Sequence, residues 1–364
     1  MSDQKPKVYF KNLDAFRFYG SVLIIVHHIE QNKSALGMTN VWRNSILQFA
    51  GPSSLNMFFT LSGFLITYLL LQEYNHKGRI NIKSFYLRRV LKIWPLYFVL
   101  VILGFFILPF LVSTPGYNVF ELKHYFQRLI LFATFLPNVS YIINGTTPFI
   151  HQLWSIGVEE QFYISWPFLI LLSPKKMTPV LIVLFGYLLT LVLLNTFVGS
   201  ETPIYKIIAK ARFSAMAIGG IAGYAVFYKM KGSQLFQNRT LGWLAFITLI
   251  LFLAFRVWVP VVGYEVYSVL YAFIIVHLAI TSKPMFSMEN KIVNYFGKIS
   301  YGLYMYHSLT IFTSIKLLAL FNLEKMQFLV YTLSIGSTIF VSHISYQYFE
   351  KYFLKKKEVL SKQT

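Results

Sequence analysis

Long apolar stretches are the feature of this sequence that most limits its fold. A transmembrane helix needs about 20 predominantly apolar residues, and the chain of 364 residues contains ten stretches that approach or reach that length. They run over Phe18–Ile29, Leu55–Leu71, Trp94–Val112, Leu153–Leu172, Pro179–Val198, Phe213–Phe227, Leu241–Val257, Tyr264–Thr281, Ile299–Phe321 and Phe328–Tyr348. The sequence therefore predicts an all-α, polytopic integral membrane helix bundle with about ten transmembrane helices.

The composition excludes the main alternatives to a membrane bundle. Apolar residues make up 56% of the chain and charged residues only 13%, whereas soluble domains carry about 25% charged residues. A soluble globule of this length must still cover its surface and could not bury so many apolar side chains. A soluble enzyme, a disordered chain and a fibrous repeat are all excluded.

The basic residues predict how the helices are oriented. The formal net charge of +20 would suggest nucleic acid in a soluble protein, but lysine and arginine in short loops set membrane orientation instead. With the N-terminus inside, 23 of the 33 basic residues, Lys5 and Lys7 among them, fall in cytoplasmic segments. Both termini are therefore predicted to be cytoplasmic, and no nucleic-acid partner is expected. Tyr125–Leu136 is too short to span and is predicted to be interfacial or re-entrant.

The chain is predicted to form one membrane domain, residues 1–350, followed by a basic cytoplasmic tail, residues 351–364. Phe18–Ile29 makes a full span only if Leu13–Arg17 belongs to the same helix. Met1–Leu23 resembles a signal peptide in charge and hydrophobicity, but no small-x-small cleavage site follows it, so a retained first helix is predicted. The absence of cysteine excludes disulfides, thiolate metal sites and a cysteine nucleophile, and no metal site is predicted.

Ionisable residues in the first apolar stretch are expensive to bury and usually mark a function. His28 lies eleven positions after Arg17, which is about 16 Å along a helix. A histidine can move protons near neutral pH, and His27 lies beside it. Glu30 could orient either imidazole. The structural alternative is a helix end whose polar side chains extend to water.

A basic segment precedes the third stretch and includes Arg88, Arg89 and Lys92. It is either a topology anchor on anionic lipid or a docking site for phosphates, since guanidinium groups match phosphate oxygens. Arg89 and Lys92 would share one face of a helix.

The fourth stretch opens with an unusual polar segment, His151–Tyr163. His151, Ser155 and Glu159 recur at intervals of four and so predict a polar stripe along a helix. Glu159 and Glu160 form a carboxylate pair, for which the structural alternative is a helix start favoured by the helix dipole. Elsewhere Ser62-Gly63 in the second stretch is predicted to allow close helix packing, and His277 and His343 are interpreted as packing residues.

Together these segments resemble the membrane acyltransferase-3 family, the integral-membrane O-acyltransferases of bacterial surface polysaccharides. Five segments match in order along nearly the whole chain, namely Leu13–His28 (basic-x10-His), Phe58–Thr67, Arg88–Tyr97 (Arg-x-x-Arg), His151–Tyr163 and Ser300–His307. One departure is that Lys92 stands where the family's second arginine is expected, which keeps the charge but loses the bidentate fork. Since some members carry an added extracytoplasmic domain, this chain is expected to be the stand-alone form.

The resemblance implies a donor, an acceptor and a set of site residues. Acyl-CoA, usually acetyl-CoA, would enter from the cytoplasm as a substrate, with no permanently bound cofactor, and would be held by Arg17, Arg88, Arg89 and Lys92. His28 would be the general base, with His27 as the alternate, and Glu159 or Glu160 would orient the histidine or position the acceptor. An acyl-histidine intermediate stays open. The acceptor carbohydrate would be contacted by His151, Trp154, Ser155, Tyr163, Tyr304 and His307.

Two other functions stay open at this stage. Intramembrane His, Glu and Arg also occur in transporters, so a carrier or flippase for a glycoconjugate is the alternative, which would release no free CoA. A scaffold protein would need none of these polar groups. The expected location is the cytoplasmic (inner) membrane of a bacterium, in contact with membrane lipid. Lipopolysaccharide, exopolysaccharide, peptidoglycan and small glycosides all fit as acceptors, and the oligomeric state is not predicted.

Overall fold

A computed structural model describes residues 9–42, 46–112, 120 and 123–363, and these residues fold as helices without a β-strand. The α-helices are α1 (Leu13–Ala35), α2 (Leu47–Lys77), α3 (Ile82–Ile102), α4 (Leu108–Leu111), α5 (Tyr125–Ala133), α6 (Pro137–Asn144), α7 (Leu153–Leu172), α8 (Thr178–Phe197), α9 (Pro203–Ala211), α10 (Phe213–Phe227), α11 (Arg239–Ala254), α12 (Gly263–Ile280), α13 (Lys291–Lys298), α14 (Ser300–Leu320), α15 (Gln327–Ser345) and α16 (Lys351–Gln363). A π-helical turn joins α3 to α4 (Leu103–Ile107), another joins α15 to α16 (Tyr346–Glu350), and a short 3₁₀ helix covers Ser233–Gln237. The all-α prediction is confirmed.

Each of the ten predicted stretches has a helical segment of its own, although Leu241–Val257 runs three residues past the end of α11. The segments differ in their fitness to span a membrane. Among the described residues, six helices are long and apolar enough to cross a membrane, namely Leu47–Lys77, Ile82–Leu111, Thr178–Phe197, Gly263–Ile280, Ser300–Leu320 and Gln327–Lys357. Of the other four, α10 and α11 have only 15 and 16 residues. The remaining two, α1 and α7, carry the ionisable residues singled out above, which lower their mean hydropathy. Tyr125–Leu136 contains only the nine-residue helix α5, which is too short to span.

Both ends of the chain bear on the predictions. Helix α1 begins at Leu13, so Arg17 and His28 stand on one continuous helix of 23 residues, the condition set for a full first span. Lys5 and Lys7, and Thr364 at the other end, lie outside the described residues.

The basic segment before the third stretch belongs to the same helix as that stretch. This corrects the predicted boundary at Trp94. Helix α3 begins at Ile82, where the Asn81 side chain accepts a hydrogen bond from the Ser84 backbone nitrogen at 3.0 Å. This cap fixes the start of the helix twelve residues before Trp94. The predicted boundary lay too far along the chain because the first turns of α3 are basic, and an apolar pattern does not identify them as part of a span.

Helices α2 and α10 form a tightly packed pair at the centre of the bundle. A Cβ atom added at Gly63 would lie 1.9 Å from the carbonyl oxygen of Met216, and one at Gly219 would lie 2.0 Å from that of Thr60. Glycine is therefore required on both faces, because only backbone atoms fit between the helices. The predicted packing role of Ser62-Gly63 is confirmed.

We expect Gly63→Ala to destabilise the bundle, because the methyl group meets backbone that cannot rotate away. Overpacking of this kind costs about 1–3 kcal/mol, which should lower the midpoint of thermal unfolding in detergent. Gly186→Ala is the matched control, since a Cβ on that residue of α8 meets nothing within 4 Å. Equal midpoints for the two variants would contradict the close approach.

Candidate active site

Two neighbouring cavities lie inside the bundle. We call the first the histidine cavity; its volume is about 620 Å³ and its lining includes His27, His28, Gln31, Trp42, Tyr141, His151, Trp154, Lys210, Arg212 and Tyr264. The second, the basic cavity, has a volume of about 280 Å³ and its lining includes Arg17, Ser62, Arg89, Lys92, Ser155, Glu159, Tyr163 and Lys357. Leu55 and Tyr304 line both cavities, so these two side chains form the boundary between them.

Two chain segments connect the cavities along their length. Helix α1 carries Arg17 in the basic cavity and His28 in the histidine cavity. The polar residues predicted at His151, Ser155 and Glu159 also follow one another along the interior, although His151 lies in the turn before α7 and only Ser155 and Glu159 lie on the helix. His151 lines the histidine cavity and the other two line the basic cavity. Polar groups in both segments therefore face the interior, where an ionisable group is tolerated.

His28 has the hydrogen bonding expected of a base. Its Nδ1 lies 2.8 Å from the side-chain oxygen of Gln31, and because that oxygen only accepts, the contact favours the tautomer protonated at Nδ1. The neutral ring then presents an unprotonated Nε2. Rings of three other histidines surround it, with centroids 4.8 Å away for His27, 5.2 Å for His151 and 4.8 Å for His307.

The other histidines of this cluster are more constrained. His27 donates from Nδ1 to the backbone oxygen of Leu47 at 2.7 Å and packs edge-on against Trp42. His307 is fully buried and does not line the cavity, and its Nδ1 donates to the Tyr304 backbone oxygen at 2.6 Å. Within the described part of the chain, no group of His, Asp and Glu side chains is arranged to hold a metal ion.

Glu30 does not orient a histidine, which corrects the sequence interpretation. Its buried carboxylate pairs with Lys33 and accepts hydrogen bonds from the Val41 nitrogen at 2.6 Å and the Tyr331 hydroxyl at 2.7 Å. These contacts tie the end of α1 to α15. The role is structural, because the carboxylate is already satisfied by groups other than imidazole.

The carboxylate pair is divided between two environments. Glu159 faces the basic cavity and accepts a hydrogen bond from the Tyr163 hydroxyl at 2.8 Å. Glu160 is 6% exposed and lines neither cavity; it accepts a hydrogen bond from the Trp94 indole at 3.1 Å. Neither carboxylate is hydrogen-bonded to a histidine in the structure, so the arrangement does not give them the predicted orienting contact.

The residues predicted to bind the donor separate in the same way. Arg17, Arg89 and Lys92 line the basic cavity together with Lys357, and the guanidinium of Arg89 has a buried Nε without a hydrogen-bond partner. Arg88 does not line it; it pairs with Glu73 at 3.2 Å. The predicted shared face of residues 89 and 92 is confirmed. Arg88 instead forms a structural ion pair outside the cavity.

The residues predicted to contact the acceptor fall on both sides of the boundary. His151 and Trp154 line the histidine cavity, Ser155 and Tyr163 line the basic cavity, and Tyr304 lines both. The Ser155 and Tyr304 hydroxyls are 2.7 Å apart and hydrogen-bonded. His307 lines neither cavity and contacts the site from behind, through its ring contact with His28 and its hydrogen bond to Tyr304.

Sequence reasoning missed several lining residues, most clearly Lys210 and Arg212. Both belong to the minority of basic residues that the predicted topology leaves outside, just before the apolar stretch that begins at Phe213. Two cations on the side where positive charge is disfavoured are a signal that could have been used. Gln31 and Tyr264 gave no comparable signal, since single polar residues near helix ends are ordinary.

Comparison with known proteins identifies the family of this chain. A family model described as an acyltransferase domain matches residues 10–347. A Staphylococcus aureus (strain COL) protein named "Putative O-acetyltransferase" is 28% identical over 377 aligned positions, covering 97% of this chain and 58% of the relative. O-acetyltransferase OatA of S. aureus strain NCTC 8325 is 24% identical, covering 96% and 58%.

The chain thus spans less than two thirds of the length of the curated relatives it matches. No solved structure matches it significantly. The family match nevertheless covers nearly all the helices that build both cavities. The chain belongs to the acyltransferase-3 family.

Proposed function

We propose that this protein is a membrane O-acyltransferase that moves an acyl group, in the first place acetyl, from acyl-CoA to a hydroxyl of a carbohydrate. The observation that carries the proposal is the pair of cavities that meet at Leu55 and Tyr304. One presents cations suited to phosphates and the other presents a histidine with a free nitrogen. The names of the relatives support O-acetyl transfer.

The donor belongs in the basic cavity on chemical grounds. Coenzyme A carries phosphates at one end and a thioester at the other, and arginine and lysine bind phosphate oxygens. Arg17, Arg89 and Lys92 would hold the phosphates at one end of the cavity. The thioester would then extend toward Tyr304, where the two cavities meet.

The acceptor belongs in the histidine cavity, beside His28. A sugar hydroxyl is a weak nucleophile at neutral pH and needs a base within hydrogen-bond reach. The hydroxyl oxygen attacks the thioester carbon, the new carbon–oxygen bond forms and the carbon–sulfur bond breaks. His28 Nε2 takes the hydroxyl proton and returns it to the leaving thiolate. The same free nitrogen would serve an acyl-histidine route.

The membrane arrangement is proposed from the charge bias and the fold together. Ten helices crossing the membrane, with both termini in the cytoplasm, put Arg17 and the basic cavity on the cytoplasmic side and His28 on the outer side. This arrangement gives cytoplasmic acyl-CoA and an extracytoplasmic carbohydrate separate entrances in the cytoplasmic membrane of a bacterium.

Release of CoA tests the proposal directly. Protein in lipid nanodiscs should release free CoA from acetyl-CoA only when a suitable surface glycan from a panel is present. In sealed inside-out membrane vesicles loaded with that glycan, acetyl-CoA added to the medium should be consumed, whereas right-side-out vesicles should leave it intact. Glycan binding without CoA release would favour the carrier function.

Arg89→Ala should raise the KM for acetyl-CoA about tenfold or more, because hydrogen bonds to a charged group contribute roughly 1.5–3 kcal/mol. The limiting rate should change much less, since the phosphates lie far from the reacting carbon. Arg88→Ala is the matched control, because Arg88 is bound to Glu73 outside the cavity. If both variants had the same KM, this face of α3 would serve only to anchor the membrane topology and would not bind the donor.

A further inference from the structure

The histidine cavity contains two cations that proton transfer does not require. Lys210 lies in the last turn of α9, Arg212 connects α9 to α10, and both line the cavity. The transfer chemistry needs a base for the hydroxyl and a site for the thioester, and His28 and the basic cavity supply these. The two cations need a separate explanation.

Both cations are held against aromatic rings. The Lys210 ammonium lies 3.9 Å from the ring centroids of both Tyr141 and Trp154. The Arg212 guanidinium carbon lies 3.6 Å from the centroid of Tyr264. Cation–π contacts of this kind fix the direction of a cation without neutralising its charge. The aromatic rings also offer flat apolar faces of the kind that pack against sugars.

Arg212 has unused hydrogen-bonding capacity although it is buried. The residue is only 5% exposed, and its Nη1 donates to the backbone oxygen of Pro52 at 3.0 Å. Its Nε is sealed from solvent and has no partner, and a buried donor without an acceptor is destabilising. The protein therefore does not use the full hydrogen-bonding capacity of this guanidinium.

The described lining of the cavity contains no acidic side chain to pair with these cations. None of the ion pairs found in the described part of the chain includes Lys210 or Arg212. Glu265 interacts electrostatically with Arg212, but its carboxylate accepts a hydrogen bond from Ser214 at 2.5 Å and does not line the cavity. The positive charge is therefore available to a ligand.

We infer that Lys210 and Arg212 select an acceptor carbohydrate that carries a negative charge, a carboxylate or a phosphate, and hold it between Tyr141, Trp154 and Tyr264. That the bound sugar is an acyl acceptor rests on the proposed function, but the binding of an anionic sugar can be measured without any acyl transfer. The cavity volume of about 620 Å³ lies in the range of roughly 300–1,000 Å³ typical of small-molecule sites.

Three probes that differ only at C6 test the charge preference. Methyl β-glucuronoside carries a carboxylate, methyl β-glucoside a hydroxymethyl group, and methyl β-glucoside 6-phosphate a phosphate. Their Kd values would be measured by quenching of tryptophan fluorescence, with protein in phosphatidylcholine nanodiscs and no acyl donor. We expect at least one anionic probe to bind about tenfold or more tightly than the glucoside, since a charged hydrogen bond is lost with the neutral sugar.

Variants connect the preference to the two residues. Lys210→Gln and Arg212→Gln should each raise the Kd of the preferred anionic probe about tenfold and leave that of the neutral glucoside within twofold. Lys206→Gln is the matched control, because Lys206 lies on the same helix but pairs with Glu201 and does not line the cavity. Arg212 also holds Pro52, so Lys210→Gln is the variant that tests charge without that backbone contact.

The pH dependence gives an independent reading of Lys210. Burial, reinforced by the charge of Arg212, lowers the pKa of Lys210 to about 7. The ammonium is present below that pKa and lost above it, so the Kd of the glucuronoside, whose carboxylate stays ionised throughout, should rise between pH 6 and pH 8.5. His151 does not contribute over this range, because burial and Lys210 lower its pKa to about 4. Lys210→Arg should remove the rise, since arginine stays charged.

The outcomes separate this inference from the proposed function. Equal affinity for all three probes overturns the inference, even if CoA is released onto neutral glycans. Preference for an anionic probe that survives Lys210→Gln and Arg212→Gln also overturns it. If phosphatidylglycerol in the nanodiscs abolishes probe binding, a lipid headgroup is the ligand and the acceptor assignment fails. Anionic preference that depends on both residues, without CoA release from any acceptor, keeps the ligand class and rejects acyl transfer.

Discussion

His28→Ala should reduce acyl transfer by about 10²–10⁴-fold, the range that positioned general bases contribute. The structure gives the physical reason, since Nδ1 lies 2.8 Å from the accepting oxygen of Gln31, which leaves Nε2 of the neutral ring unprotonated, and the side chain lines the cavity. The measurement is CoA release in nanodiscs with acetyl-CoA and an accepted glycan. The thermal midpoint should stay near that of the wild type, because the ring borders a cavity and is not packed on all sides.

His27→Ala is the neighbouring control. The His27 ring packs against Gly51, where an added Cβ would lie 2.3 Å from it, and hydrogen-bonds Leu47, so its loss should lower stability more than the rate per folded molecule. Full activity in His28→Ala together with loss of activity in stable His27→Ala would exchange the two assignments. Rapid quenching with labelled acetyl-CoA and no acceptor would separate the routes, because only the two-step route accumulates acyl-histidine.

The sequence predicted what lies along a single helix. The spacing of four residues between Ser155 and Glu159 and of eleven between Arg17 and His28 is a property of helix geometry alone. Both proved to run along the interior of the bundle. The helix positions of the ten apolar stretches were predictable for the same reason, since hydrophobicity and length are local.

Contacts between helices were not predictable in this way. Glu30 was expected near a histidine by proximity in sequence, yet it bonds Tyr331, 301 residues away. Glu159 and Glu160 are adjacent, but neighbouring residues on a helix point about 100° apart. One therefore reaches the basic cavity and the other reaches Trp94. Lys210 and Arg212 become site residues only when α9 and α10 are placed against α2 and α7.

The second large effect is expected at the boundary between the cavities. Leu55 is 8% exposed and lines both of them, so Leu55→Trp would place an indole where the thioester and the acceptor hydroxyl must meet. Reacting atoms have to approach to about 3–3.5 Å, and a misplacement of 1 Å can cost about 10²-fold. Transfer should therefore fall by about 100-fold or more. The Kd of acetyl-CoA should stay within about threefold, because the cations of the basic cavity are unchanged.

Two further variants show whether the loss of transfer in Leu55→Trp comes from a blocked passage. Leu189→Trp adds the same ring on α8 at a side chain that is 58% exposed and lines neither cavity, and it should transfer normally. Leu55→Ala widens the boundary and should keep most of the rate, which separates a blocked passage from the loss of a leucine. If Leu55→Trp still transfers at the wild-type rate while binding acetyl-CoA normally, the two substrates do not meet between these cavities. The thioester would then have to reach His28 by another path through the bundle, and the central premise of the proposed mechanism would fail.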